Sequence, residues 1–179
     1  FSQYHDAYNK NVVIRNCTFN GVNKNNRQGI SIYYSDGFTI DHCDFKKITR
    51  DDMPGAIDIE ADRKMNVSRN GLISNCTFEN IGGMGAICIV QRKGTNENKF
   101  SHTGYIIEDC NFKNVNVPLA VIGNNSFSEV LSDQFNITMR NCTAENVKSV
   151  ADLRKAYGVL FENILFNNIT SLAKNVVTD

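Results

Sequence analysis

The chain has 179 residues, of which 41% are hydrophobic, with 2 Pro and no Trp, a size that fits one domain. Its 19 basic and 19 acidic side chains cancel, which gives no basis for nucleic acid or a charged membrane surface as partner. No apolar run reaches the about 18 residues needed to cross a bilayer, and the opening FSQYHDAYNK lacks the basic and apolar regions of a signal peptide, so no membrane insertion is expected.

Residues 1 to 12 read as the polar and aromatic tail of a preceding coil. From Val13, the stretch VIRNCTFNGV opens a series. TIDHCDFKKI follows at Thr39, LISNCTFENI at Leu72, IIEDCNFKNV at Ile106, TMRNCTAENV at Thr138 and a worn LFENILFNNI at Leu160. Cys17, Cys43, Cys76, Cys110 and Cys142 are separated by 26, 33, 34 and 32 residues, and the equivalent Leu165 comes 23 later, a period in the solenoid range. Within one repeat, Ile73, Cys76, Phe78 and Ile81 are the large apolar positions. Strict alternation cannot place both Ile73 and Cys76 inside, so the chain must turn between them. The residue before the cysteine position is Asn16, His42, Asn75, Asp109, Asn141 or Asn163, types that tolerate left-handed dihedrals. A short strand, a corner, and a second strand reading C-x-F follow from this.

A third strand alternates with period two in GISIY at Gly29, GAIDIE at Gly55, GAICIV at Gly85 and PLAVI at Pro118. Between these strands the chain has a polar loop at 23–28, a tight return at Ser35-Asp36-Gly37, a loop at 49–54, a charged excursion at 61–70, the longest insertion at 91–103 and a Ser/Asn-rich loop at 123–134. Ala151-Asp152-Leu153-Arg154-Lys155 breaks the pattern and reads as a helical turn. Three strands per repeat predict an all-β, right-handed, single-stranded parallel β-helix of about six coils. Residues 1–179 form one such domain and read as a piece of a longer chain, because neither end carries the polar cap a solenoid needs.

Five of the six cysteines share one column. Stacked thiols whose Cβ vectors point the same way strain the torsion of a disulfide, so free, buried thiols are expected, compatible with assembly in a reducing cytoplasm. No C-x-x-C or Cys/His ligand spacing is present, so no zinc and no other cofactor is expected.

Aligning the third strands gives two outward columns, Ser31, Asp58, Cys88, Ala120 and Tyr33, Glu60, Val90, Ile122. Asp58 and Glu60 leave the same face of one strand, about 6.5 to 7 Å apart at the backbone. Carboxyls at roughly 6.5 to 9.5 Å can act as acid and base of an inverting glycosidase, with a water between them. Glu60 is expected as the acid and Asp58 as the base, with the roles exchangeable. Asp62 continues the row, Tyr33 offers a flat ring to a sugar, and Arg63, Lys64, Arg92 and Lys93 offer cations to an anionic glycan. The plainer alternative is that all of these are solvated outward residues. Val90 and Ile122, outward yet apolar, suggest cover by a loop or a neighbouring chain.

The N-C-x-F corners and G-x-I-x-I strands resemble the right-handed parallel β-helix group that includes pectate lyases, polygalacturonases and phage tailspike or appendage proteins. The resemblance spans roughly residues 12 to 170. The reduced cysteine column and long polar loops are most similar to tailspikes. It implies a homotrimer in a virion tail or outside the cell that binds, and cleaves, a bacterial surface polysaccharide. Asp58 and Glu60 match the group's catalytic carboxylates on an outward strand face. The chain lacks the polygalacturonase acidic pair with its Gly-His segment and a lyase set of calcium carboxylates with an arginine base. A structural or adhesive β-helix without chemistry, and a bacterial polysaccharide lyase or epimerase using Lys64 or Arg92 as base, stay open beside the hydrolase.

Overall fold

The computed structural model describes residues 8–60, 67–91, 103–123, 136–156 and 158–171. Among them are 17 strands and no helix. Coil one carries β1 (Asn9–Arg15), β2 (Thr18–Asn20) and β3 (Ile30–Ile32); coil two β4 (Ser35–Asp41), β5 (Asp44–Lys46) and β6 (Ile57–Glu60). Coil three carries β7 (Ser68–Ser74), β8 (Thr77–Ile81) and β9 (Ile87–Gln91); coil four β10 (Tyr105–Glu108), β11 (Asn111–Val115) and β12 (Leu119–Gly123). Coil five carries β13 (Ile137–Arg140), β14 (Thr143–Ser149) and β15 (Ala151–Arg154), and coil six β16 (Val159–Glu162) and β17 (Leu165–Ser171). First strands pair only with first strands, second with second and third with third, in three all-parallel sheets, which is a parallel β-helix.

The corner residues do what their chemistry suggested. Asn16, His42, Asn75, Asp109, Asn141 and Asn163 all have left-handed backbones, with φ between 49° and 56°. The cysteine that follows each of the first five donates its thiol back across the corner to the carbonyl two residues earlier, as Cys76 does to Ser74 at 3.1 Å and Cys110 to Glu108 at 3.2 Å. A small apolar side chain with a weak donor fits this place, which neither Ala nor Ser would fill equally well. All six cysteines are free. Cys43, Cys76, Cys110 and Cys142 are buried as expected, but Cys17 is exposed, because no described coil lies beneath the first one to cover it.

Two further left-handed columns were not anticipated. Lys47, Asn80, Asn114, Asn146 and Asn168 bend the second strands, with φ between 53° and 57°. The amides of the four asparagines form a ladder along the helix axis, Asn114 to Asn80 at 3.0 Å, Asn146 to Asn114 at 3.0 Å and Asn168 to Asn146 at 2.6 Å. The first strands bend at Asn11, Gly37, Asn70, Gly104, Asn136 and Gly158, alternating Asn with Gly. The alternation has a steric cause. A Cβ on Gly37 would strike Asn11 Oδ1, and one on Gly104 would press on Asn70 Oδ1.

Inside, like residues stack. Phe19, Phe45, Phe78 and Phe112 form an offset stack with centroids 4.7–5.0 Å apart and ring planes within 7°, the arrangement parallel register imposes on one column. Ile30, Ile57, Ile87 and Leu119 form a second ladder, and Ile59, Ile89 and Val121 a third. Three expectations are corrected. Residues 9–12 belong to β1, not to a preceding coil. Ser35-Asp36-Gly37 starts β4, because the bend at Gly37 lies within a paired strand. Ala151–Arg154 is a strand, not a helical turn: Ala151 and Leu153 pair with Leu119 and Val121 and continue their ladders, while Asp152 and Arg154 point outward.

Candidate functional site

Parallel pairing fixes what the outer face of the third sheet presents. One outward column runs Ser31, Asp58, Cys88, Ala120, Asp152, and the next contains Glu60, Val90, Ile122 and Arg154. Both carboxylates expected as a site therefore stand on one strand and on one face. Their environments differ sharply. Asp58 is only 5% exposed, and its Oδ2 accepts a hydrogen bond from Gln28 Nε2 at 3.0 Å. Its Oδ1 is buried and has no hydrogen-bond partner among the described residues. Burial pushes the Asp58 carboxyl up to about 6, with the Glu60 charge adding to the rise, against hydrogen bonding by Gln28 and Ser31 that favours the anion. Beside it, burial and then the Asp58 charge push the Cys88 thiol up to about 12, so this cysteine stays protonated.

Glu60 is half-buried and lies in the wall of an open groove of about 600 Å³ on the same face. Val90 and Ile122 form the floor, and Met53, Pro54 and Met84 form an apolar rim. The groove is polarised. Asp52 and Glu60 stand at the coil-two end and Arg154 and Lys155 at the coil-five end. Three ladder steps, Glu60 to Val90, Val90 to Ile122 and Ile122 to Arg154, separate the ends, about 14 Å at the usual strand spacing. The outward apolar residues Val90 and Ile122 are thus explained as the floor of a concave surface.

Tyr33 is 41% exposed and does not line this groove. It borders a different cavity of about 270 Å³ at the coil-one end of the solenoid, with Ile14, Ile32 and Phe38. Asp62, Arg63, Lys64, Arg92 and Lys93 lie outside the described residues. Among the described residues no group of three or more His, Cys, Asp or Glu is arranged to hold a metal ion.

Sequence reasoning missed Asp152, Arg154 and Lys155. The signal was present, because A-D-L-R alternates as L-A-V-I does one coil earlier, but the stretch read as a helical turn that breaks the strand pattern. Asp152 is 1% exposed and receives two parallel hydrogen bonds from Arg154, Nε to Oδ1 at 3.0 Å and Nη2 to Oδ2 at 2.6 Å. A buried carboxylate is tolerable when a guanidinium satisfies it in this way.

The site has room for an extended polar chain with apolar faces. Its wall carries Glu60, with the buried Asp58 carboxyl next to it on the same strand, and Arg154 and Lys155 at the far end. No family model, no curated protein and no solved structure matches the chain.

Proposed function

We propose that this chain is the glycan-binding β-helix of a phage tailspike-like protein, and that it hydrolyses a bacterial surface polysaccharide laid along the groove of the third sheet. The observation that carries this reading is the pairing of two unlike carboxyls on one strand. Glu60 lines the groove, and Asp58 beside it retains its proton up to about pH 6. The raised acid is Asp58, so the roles run opposite to the first assignment. Asp58 gives its proton to the leaving glycosidic oxygen as the C1–O bond breaks. Glu60 takes a proton from the water whose oxygen forms the new bond to C1 from the other side. The sugar product gains the water oxygen with inverted configuration, and exchange with solvent resets both carboxyls.

The homotrimer and the virion location are part of the same proposal. Exposed apolar residues on the outer face of the first sheet, Val13 at 58%, Ile106 at 39% and Leu160 at 53%, support cover by neighbouring copies.

The test is to incubate the full protein with a panel of bacterial capsular and lipopolysaccharide glycans and assay new reducing ends. Glu60→Gln should reduce turnover by about 10²-fold or more while binding persists. Proton NMR of fresh product should show the inverted anomer. Absence of cleavage across the panel, or full activity in both Glu60→Gln and Asp58→Asn, would sink the hydrolytic reading.

A second reading, binding without cleavage, is favoured by the burial of Asp58 behind Gln28. It expects glycan to be bound and released intact, with Asp58→Asn leaving affinity unchanged.

A further inference from the structure

We infer that the coil-five end of the groove is a carboxylate subsite, built from Arg154 and Lys155, which makes the ligand an acidic polysaccharide. The inference rests on the groove being the glycan site. It adds the chemical class of the glycan and the direction in which it lies.

Three features argue for a built anchor. The first is the state of Arg154. A guanidinium has five N–H donors, and two are spent on Asp152, whose burial at 1% exposure keeps the pair together. Three donors remain on a side chain that is 39% exposed and lines the groove. An arginine oriented by a buried carboxylate has already lost the freedom that anion binding would otherwise cost, and its planar fork matches a carboxylate.

The second is Lys155. Strand alternation puts Asp152 and Arg154 outward and would turn the next side chain inward. Lys155 instead has a left-handed backbone, φ 49°, and lines the groove with Arg154. On the preceding coil Gly123 makes room for this turn, because a Cβ there would collide with the Lys155 carbonyl oxygen. The left-handed cost at a lysine is thus spent on bringing a second cation to one end of the groove.

The third is polarity. Glu60 at the opposite end repels an anion, the charge of Asp52 there being matched by its ion pair with Arg50, while Val90 and Ile122 between the two ends offer a floor for the apolar face of a sugar ring. An acidic chain therefore lies with a carboxylate at coil five and its scissile bond at coil two, about 14 Å away along the stacked strands. That span calls for a short oligosaccharide rather than a single ring.

The experiment uses the full protein and equilibrium binding to alginate, colanic acid and hyaluronan, each compared with its carboxyl-reduced, neutral form. At least one acidic polymer should bind, and reduction of its carboxyls should weaken binding by about tenfold or more, equivalent to about 1.4 kcal/mol. Arg154→Gln alone would take both guanidinium hydrogen bonds from the buried Asp152, so the informative variant is the double substitution Asp152→Asn with Arg154→Gln. It removes the guanidinium together with the carboxylate that it pairs with, and so keeps the net charge of the pair. That variant should lose the preference for the acidic over the reduced form, and Lys155→Gln should lower it several-fold with the Arg154 pair intact. Glu60→Gln should keep it. The inference is overturned if none of the three acidic polymers binds, if the reduced forms bind equally well, or if both cation variants keep the preference. Cleavage of neutral glycans only would overturn the inference and leave the hydrolase standing. Binding of acidic glycans without cleavage would do the reverse.

Discussion

Phe38 and Tyr105 pack ring to ring with centroids 6.3 Å apart, although their strands are two coils apart in the stack. Between them in register stands Gly71, paired with Phe38 on one side and Tyr105 on the other. The glycine is what lets the rings meet, since a Cβ there would run into the Phe38 ring. Tyr105 anchors its hydroxyl by donating to the Ser68 carbonyl.

Gly71→Ala should therefore destabilise the protein by about 1 to 3 kcal/mol through overpacking. Urea unfolding of this variant with and without Phe38→Leu checks the cause. The second substitution should recover part of the loss; a purely additive double variant would show that the ring contact is not responsible.

Asp58→Asn should raise stability at neutral pH while lowering any turnover. A folded pKa of about 6 against the usual 3.8 means that the contribution of the Asp58 carboxyl to folding is fully present below pH 3.8 and is lost as pH rises through 6. At about 1.4 kcal/mol per unit the loss at pH 7 is about 3 kcal/mol. Asp36 and Asp41 work in the opposite sense. Hydrogen bonds from Arg69 and Asn75 respectively hold them low, and their contribution falls away only below pH 3.8. Thermal unfolding between pH 4 and 7 isolates Asp58. Wild type should lose stability across that window relative to Asp58→Asn, and parallel curves would refute the shift.

In the folded protein one thiol, Cys17, should react quickly with a thiol reagent and five slowly, because Cys17 is exposed and the others are buried. The unfolded chain should titrate six. Cys76→Ala should cost about 1 to 3 kcal/mol, from the cavity and the lost bond to the Ser74 carbonyl. Two missing thiols in the unfolded chain would mean a disulfide.

Asn114→Ala and Asn114→Gly separate two roles of one residue. Asn114 has φ 53°, donates to Asn80 and accepts from Asn146. Glycine loses the ladder bonds but keeps the backbone, so it should cost about 1 kcal/mol; alanine adds about 1 to 2 kcal/mol for the left-handed conformation. Equal losses in denaturant melts would show that the backbone needs no left-handed residue there.

The repeat was legible without coordinates because a solenoid writes its core in every coil. The Cys and Phe columns, the six left-handed corners and the period-two third strands are local demands on residue type, repeated until the pattern stands above the noise. The same logic placed Asp58 and Glu60 together on an outward face. What remained hidden depends on neighbours far apart in the chain. Alternation shows that Asp58 points outward, but not that it would be buried there, with its pKa raised by that burial and Gln28, thirty residues earlier, bonded to it. The Asn and Gly bends of the first strands look like ordinary polar turns until parallel register stacks each Asn on the next Gly. The groove joins side chains from coils two to five, including Glu60, Met84, Ile122 and Arg154, and no local stretch contains them together. Sequence period determined the helix and its ladders, because those follow from what one coil must bury. The charge at each end of the groove was decided only by stacking the coils, because strand pairing sets which residues of different coils share a surface.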